Sequence, residues 1–241
     1  MSVFRFKQFE LRQDKCAMKI GTDGVLLGAW ANIAQASSIL DIGTGTGVLA
    51  LMAAQRHLTA SIHALEINPA AQEQAQNNFA QSPWKERLQL LPYSLQDYLS
   101  LTPSIRYESL ICNPPYYPSE QNSFIQKEAR RQARSTATLD FSTLLSAAQA
   151  LLTPFGNFSL ILPTQEAQQF LEIAAVQEWW VAQEVAVIPR AGKASNRVLL
   201  ELKRQPCKKV TKTLTLRPEK GSKRKYTTDF DALHRNFLLF L

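Results

Sequence analysis

The chain has 241 residues, which predicts one large domain with appendages. A composition that is 45% hydrophobic and 20% charged, with 9 glycines and 12 prolines, excludes collagen-like, low-complexity and wholly disordered proteins. No apolar stretch approaches the ~20 residues of a membrane span, so we expect no membrane partner. Three scattered cysteines, none in a CxxC pair, indicate neither a disulfide framework nor a zinc site. We therefore expect no metal and a reducing, cytoplasmic location.

The positive charge is concentrated near the C-terminus. The whole chain carries 27 Lys and Arg against 20 Asp and Glu, a net charge of +7. Between Lys203 and Lys225 there are ten basic residues and one acid, which leaves 17 basic and 19 acidic residues elsewhere. A cationic segment on a nearly neutral body predicts a polyanionic partner, with nucleic acid favoured over a membrane. The alternative is a solvated basic surface.

Residues 38–203 alternate short apolar runs with segments of helical spacing. Seven runs predict strands: SSILDIG, SIHALEI, RLQLLPY, ESLICNPP, NFSLILP, EVAVIP and RVLLELK. Asn68 and Asp140 are typical helix N-caps between them, and Pro69 suits a first helical position. The pattern predicts an α/β protein with a Rossmann-like, doubly wound and mostly parallel sheet. Because no clear helix separates the last two strands, we expect them to form an antiparallel pair at the sheet edge.

The chain divides into three predicted parts. Residues 1–37 form an N-terminal extension, residues 38–203 the α/β domain, and residues 204–241 a basic C-terminal segment. The segment ends in HRNFLLFL, which is apolar enough to predict that it docks on the domain. A long polar insertion at 116–138 follows the fourth strand, and insertions of that length are usually functional or disordered.

A glycine-rich loop follows the first strand. Asp41 precedes Gly43, Gly45 and Gly47, and glycine lets a ligand approach the backbone closely. The second strand ends at Glu66, whose carboxylate could accept hydrogen bonds from both hydroxyls of a ribose. The loop lacks the third small residue of a dinucleotide fingerprint and has no GK[ST], which excludes a P-loop. These residues predict a nucleoside-binding crevice, although a glycine turn that binds nothing is the alternative.

The fourth strand ends in Asn113, Pro114, Pro115 and Tyr116. Two prolines cannot donate to a sheet ladder, so the strand stops and leaves Asn113 at its carboxyl edge. The Asn113 side-chain oxygen and the Pro114 carbonyl could both accept hydrogens from one planar amino group, and the Tyr116 ring could stack on a base. The alternative is a plain strand-ending turn.

Before the first strand, KIGTDGVLLGAW predicts a helix that starts near Gly24 and is capped by Thr22 or Asp23. Such a helix N-terminus, close to the glycine loop, would suit a ligand carboxylate. The alternative is a capped amphipathic helix that covers the sheet edge.

These segments, with QARSTATLDFSTLL and NRVLLEL, together resemble the tRNA1(Val) (adenine(37)-N6)-methyltransferase family over nearly the whole chain. The glycine loop resembles motif I of class I S-adenosylmethionine methyltransferases, and NPPY resembles their motif IV for exocyclic or amide nitrogen. The resemblance implies methylation of an anticodon-loop adenine of a valine tRNA, with S-adenosyl-L-methionine as cofactor.

On the matched positions, the resemblance implies that Thr22 and Ser94 contact the cofactor together with the glycine loop and its acids: Asp41, Gly43, Gly45, Gly47 and Glu66. Ser94 stands where the family usually has an acid, and Asp97 is an alternative to it. Asn113, Pro114 and Tyr116 would be catalytic, and Pro115 would bind the adenine.

We expect the insertion residues Lys127, Arg131 and Arg134, together with residues 203–225, to contact tRNA phosphates. The three histidines are predicted to be surface or packing residues, and a monomer is assumed. Two alternatives stay open at this point. One is methylation of another nitrogen, such as guanine N2 of rRNA or a protein glutamine; the other is a non-catalytic RNA-binding module.

Overall fold

The computed structural model describes residues 3–15, 19–114 and 140–239. Within these ranges the strands are β1 Val3–Arg5, β2 Glu10–Arg12, β3 Ser38–Ile42, β4 Ser61–Leu65, β5 Leu88–Leu91, β6 Tyr107–Cys112, β7 Leu152–Pro163, β8 Trp180–Ile188, β9 Arg197–Lys203 and β10 Val210–Thr215. The α-helices of the same ranges are α1 Thr22–Trp30, α2 Val48–Arg56, α3 Pro69–Ala80, α4 Leu95–Ser100, α5 Phe141–Leu151, α6 Thr164–Val176 and α7 Thr228–His234.

The main sheet has the strand order β10-β8-β9-β7-β6-β3-β4-β5. Only β9 runs against its neighbours, and the other pairs are parallel. The predicted Rossmann-like sheet with an antiparallel pair is therefore confirmed. Because the order reverses between β3 and β6, the carboxyl ends of these two strands border the crevice where such folds bind ligands.

The predicted strand count of seven is wrong, and the antiparallel pair does not lie at the edge. An eighth strand, β10, pairs in parallel with β8 from Val210↔Gln183 to Thr215↔Ile188 and so covers the pair. Its sequence VTKTLT buries only Leu214 fully, so it lacks the apolar run that marks a strand in a sequence. Backbone pairing, rather than side-chain burial, holds it in place.

Apolar layers pack on both faces of the sheet. One layer contains α1, α2, α3 and the aromatic side chains of the N-terminal hairpin and of α7. The other contains α4, α5 and α6. Neighbouring residues of a central strand alternate between the layers, as Ile39 and Leu40 of β3 do. Within the described ranges, we find no helix with the length and apolar character needed to cross a membrane.

Two of the three predicted helix caps are present. Asn68 Oδ1 accepts hydrogen bonds from the amides of Ala70 and Ala71, and Asp140 Oδ1 accepts one from the Thr143 amide. The third prediction is wrong, because α1 begins at Thr22 and its N-cap is Gly21, with no side-chain cap bond.

The Asp23 side chain does not cap α1 because it forms an ion pair instead. Its carboxylate accepts a hydrogen bond from Arg197 Nε at 2.8 Å, and both side chains are largely buried. The bond joins the first turn of α1 to the start of β9, and so fixes the helix over the sheet.

The segment after β9 packs against the body of the protein. Besides β10, it contributes α7, which contacts α1 and β10. Near its end, Phe237 O accepts a hydrogen bond from Lys7 N, and Leu238 forms an isolated antiparallel bridge with Phe6. The two ends of the described chain therefore lie together, and the division at residues 37 and 203 stays a prediction.

Candidate active site

The glycine loop and the Asn-Pro turn lie at the ends of adjacent strands. Ile42, the last residue of β3, is the register partner of Cys112, the last residue of β6. Gly43 and Asn113 therefore leave the sheet next to each other at its carboxyl edge. Glu66 follows β4, the neighbour of β3 on the other side, so the three predicted elements converge on one crevice.

The loop conformation requires glycine at three positions. Gly43, Gly45 and Gly47 have φ values of 72°, 59° and 86°, in the left-handed region that side chains disfavour. A Cβ at Gly43 or Gly45 would enter open space, but a Cβ at Gly47 would lie 2.5 Å from Cε1 of Phe79. Two glycines thus leave the crevice open, while the third lets α3 pack against the start of α2.

Asp41 is fully buried and holds the loop together. Its Oδ2 accepts hydrogen bonds from Thr44 Oγ1 at 2.5 Å and from the Ala50 amide at 3.2 Å. Its Oδ1 is buried and has no hydrogen-bond partner among the described residues. Burial, helped by the negative charge of Glu66, raises the pKa of Asp41 from 3.8 to about 7.

Glu66 already receives three backbone hydrogen bonds. Its Oε1 accepts from the amides of Ile67 and Asn68, and its Oε2 accepts from the Gly45 amide at 2.8 Å. A carboxylate offers about four lone-pair sites, so roughly one is left on Oε2. The predicted acceptance of two ribose hydroxyls would therefore require one backbone amide to move away.

Asn113, like Asp41, carries an unsatisfied acceptor at the crevice. Asn113 as a whole is half-buried, but its Oδ1 is inaccessible to solvent and has no hydrogen-bond partner within the described ranges. Leaving such an acceptor unpaired costs about 1–3 kcal/mol, so the position is suited to an incoming donor. The following Pro114 is buried, which fixes the turn.

The other predicted cofactor residues lie at helix N-termini. Thr22 is exposed in the first turn of α1. Ser94 is the N-cap of α4: its Oγ accepts from the Asp97 amide at 3.0 Å and donates to Asp97 Oδ2 at 2.7 Å. Ser94 and Asp97 therefore form one hydrogen-bonded unit after β5, and the role of either towards a cofactor stays a prediction.

Asn78 is a buried residue that supports the glycine loop and was not predicted from the sequence. Its Nδ2 donates to Thr46 O at 2.8 Å and to Arg12 O at 2.9 Å, and its Oδ1 accepts from the Arg12 amide. It thereby ties α3, the loop and β2 together. The available signal was an asparagine on the apolar side of an amphipathic helix, next to Phe79.

The histidines have packing or local hydrogen-bonding roles. His57 Nδ1 accepts from the Ala60 amide at 2.9 Å, and His63 Nδ1 bonds Tyr107 Oη at 2.8 Å. His234 is buried, which lowers its pKa, and its Nδ1 bonds Phe230 O.

Several basic side chains of the C-terminal segment are held by the protein. Lys209 Nζ lies 2.6 Å from Glu184 Oε2, and Arg204 donates to Gln177 O while its guanidinium lies over Trp179. Others are exposed: Lys208, Lys212, Lys220 and Lys223. Pro115, Tyr116, Lys127, Arg131 and Arg134 lie outside the described residues, so their predicted roles stay predictions.

Comparison with known proteins agrees with this geometry. A methyltransferase small domain model matches residues 20–161. In the solved structures, a predicted O-methyltransferase, protein Atu636 from Agrobacterium tumefaciens, superposes with a TM-score of 0.66 at 19% identity, over 89% of this chain and 96% of that one. The glycopeptide N-methyltransferase MtfA, complexed with S-adenosyl-L-methionine, superposes with a TM-score of 0.55 at 15% identity, over 78% of this chain and 90% of that one. Fold and sequence model thus define a Rossmann-like methyltransferase.

A curated relative narrows the class to one family. The tRNA1(Val) (adenine(37)-N6)-methyltransferase of Pectobacterium carotovorum subsp. carotovorum (strain PC1) is 43% identical over 99% of this chain and 94% of its own length. The chain belongs to the tRNA1(Val) (adenine(37)-N6)-methyltransferase family.

Proposed function

We propose that this protein transfers a methyl group from S-adenosyl-L-methionine to N6 of adenine 37 in the anticodon loop of a valine tRNA. The observation that carries the proposal is the buried Asn113 Oδ1, an acceptor with no partner among the described residues, one strand away from the glycine loop. Family membership supplies the substrate, since the relatives of this family are named for it. Such a substrate would place the protein in the cytoplasm.

The residues around the crevice fit the cofactor. Gly43 and Gly45 leave space where side chains would stand, and Glu66 Oε2 keeps about one lone pair for a ribose hydroxyl. When bound, S-adenosyl-L-methionine would supply a methyl group on a sulfonium, which is an activated leaving group. The chain's own contribution is to hold the loop in shape through Asp41 and Asn78.

The Asn-Pro turn would position the acceptor amine. Asn113 Oδ1 and the Pro114 carbonyl would each accept one hydrogen of a planar amino group, which draws the nitrogen towards tetrahedral geometry and frees its lone pair. No general base is strictly required, because the proton can leave after transfer. Catalysis then depends on positioning and on fixed acceptors.

Substrate capture would use stacking and phosphate contacts. The adenine must leave the stack of its loop, which costs a few kcal/mol and is easier in a loop than in a duplex. Tyr116 and Pro115 would hold the base, and Lys127, Arg131 and Arg134 would contact phosphates beside it. The exposed lysines of residues 203–225 would add more distant phosphate contacts.

The test is to incubate the protein with methyl-labelled cofactor and total tRNA, and then to map the labelled nucleoside. We expect N6-methyladenine at position 37 of a valine tRNA, and no label in a valine tRNA transcript whose adenine 37 is replaced by guanine. N2-methylguanine, or label in protein glutamine instead of RNA, would overturn the proposal. Absence of cofactor binding by calorimetry would indicate the non-catalytic RNA-binding alternative.

A further inference from the structure

A cavity lies on the far side of β9 from the proposed methyl-transfer site. It has a volume of about 670 Å³, within the range of small-molecule pockets. The ends of β8 and β10, the start of β9 and the first turn of α1 border it. Since β6, β7, β8 and β10 run parallel and β9 runs against them, this cavity opens at the same sheet edge as Asn113.

The walls of the cavity are cationic. Arg190, Lys193, Arg217 and Lys220 all line it, and the last three are exposed. The one acid among the described lining residues is Asp23, whose carboxylate is neutralised by Arg197. The surplus of positive charge is therefore uncompensated at this place, which suits an anionic occupant.

The basic loop is fixed in place by the extra strand. The Leu216 amide donates to Ile188 O at 2.8 Å, and the Ala191 amide donates to Arg217 O at 2.9 Å. Arg190 also donates to Pro218 O at 3.0 Å. These bonds continue the β8–β10 pairing beyond the strands, so the backbone of Arg190 and Arg217 and the guanidinium of Arg190 are held on one wall of the cavity.

An aromatic stack forms another wall. The Tyr226 ring lies 4.4 Å from that of Phe230 at an interplanar angle of 19°, and Phe230 lies 4.1 Å from His234 at 23°. Tyr226 is half-buried and lines the cavity, with the Arg217 guanidinium 5.8 Å from its ring centre. A supported aromatic ring among cations is the combination that binds unpaired nucleotides.

We propose that this cavity receives a second nucleotide of the RNA, with its base against Tyr226 and its phosphate among Arg190, Lys193, Arg217 and Lys220. The inference rests on the proposed function, because it supposes an RNA substrate whose target adenine lies at Asn113. A loop that delivers one base to β6 would place another of its nucleotides beyond β9, three strand spacings or ~14 Å away, and its anchoring would hold the loop open. The segment after β10, which contributes Arg217, Lys220, Tyr226 and Phe230 to the lining, would then serve substrate selection.

The test measures the Kd of an unmodified valine tRNA transcript, by fluorescence anisotropy, for wild-type protein and variants. Tyr226→Ala should weaken binding about 5- to 150-fold, the usual effect of losing one base–aromatic stack. Tyr226→Phe, which keeps the ring, should restore binding. Lys193→Gln and Lys220→Gln remove exposed charges without touching the core, and each should weaken binding and lower its salt dependence.

The matched control is Lys85→Gln, which should leave the Kd unchanged. It removes an exposed lysine near β5, at the opposite edge of the sheet. The inference is overturned if Tyr226→Ala, Lys193→Gln and Lys220→Gln all bind tRNA like wild type, or if Lys85→Gln weakens binding as much as they do. Methyl transfer by the wild-type protein distinguishes a failure of the cavity assignment from a failure of the proposed function. If wild type methylates adenine 37 but the cavity variants bind normally, only the cavity assignment fails; if wild type methylates no tRNA, the proposed function fails.

Discussion

Ile42 and Cys112 are register partners in adjacent parallel strands, so Gly43 and Asn113 emerge side by side from the sheet. The distance between the glycine loop and Asn113 is therefore set by the hydrogen bonds of β3 and β6, and not by a flexible connection. Precise placement of this kind is what a reaction without a general base requires, because positioning then supplies much of the rate.

Replacing Gly47 should damage both stability and cofactor binding. In Gly47→Ala the residue keeps a φ of 86° that costs an alanine about 1–3 kcal/mol, and its Cβ would lie 2.5 Å from Cε1 of Phe79. We expect the free energy of unfolding to fall by about 2–5 kcal/mol and cofactor affinity to fall at least tenfold, measured by urea denaturation and calorimetry.

Gly192→Ala is the matched control for that substitution. Gly192 has a φ of 77°, but a Cβ there would meet nothing within 4 Å. Gly192→Ala should lose only this conformational cost of about 1–3 kcal/mol, and should keep the cofactor affinity of the wild type. Equal losses of stability in the two variants would show that the contact with Phe79 has no influence.

The buried carboxyl of Asp41 should make stability depend on pH. Because folding raises its pKa from 3.8 to about 7, the folded state holds the proton more tightly than the unfolded state. The stabilising contribution is thus full below about pH 4 and is lost as the pH rises through about 7. A shift of about three units corresponds to roughly 4 kcal/mol.

The comparison with Asp41→Asn isolates this effect, since asparagine keeps the shape and an acceptor for Thr44 but does not titrate. The free energy of unfolding of wild type, relative to that variant, should fall by about 3 kcal/mol between pH 4 and 7 in urea titrations, because half of the folded molecules still hold the proton at pH 7. A difference that stays constant over this range would mean that Asp41 is already ionised in the folded protein.

The exposed lysines of the C-terminal segment should control the salt dependence of tRNA binding. Lys208, Lys212 and Lys223 are exposed, whereas Lys209 is paired with Glu184. The triple substitution by glutamine should lower the slope of log K against log salt by about 2–3, because each phosphate contact contributes about 0.7–0.9. An unchanged slope would show that these lysines do not contact tRNA phosphates. Lys85→Gln is the control and should leave the slope unchanged.

Much of the fold was predictable because β3, β4, β6 and β7 are apolar runs between helices with recognisable caps. β10 was not, because an edge strand held by backbone pairing leaves polar side chains in solvent and gives no alternating pattern. The α1 cap failed for another reason. Local preference favours Asp23 as a cap, but Arg197, 174 positions away in the chain, competes for its carboxylate.

In the candidate site, too, features encoded by local sequence were predictable and features that depend on distant contacts were not. The glycine loop, Glu66 and Asn113 are local motifs whose spacing predicts convergence once the strands are parallel. The position of Asn78 on the apolar side of α3 was a signal in the sequence, but its partners were not predictable because Arg12 and Thr46 are distant in sequence. The cationic cavity was not predictable because its walls come from four separate parts of the chain, although the surplus of charge in residues 203–225 indicated a polyanionic partner.

In the proposed reaction, Asn113 Oδ1 accepts a hydrogen bond from the adenine amino group. This contact is tested most directly by the single-turnover rate of methyl transfer to valine tRNA in Asn113→Ala. Loss of one preorganised hydrogen-bonding group typically lowers such rates by about 10²–10³-fold. We expect at least that loss, with cofactor affinity and melting temperature close to wild type and partial recovery in Asn113→Asp, which keeps an acceptor oxygen. A rate within a few fold of wild type in Asn113→Ala would contradict the role of Asn113 Oδ1.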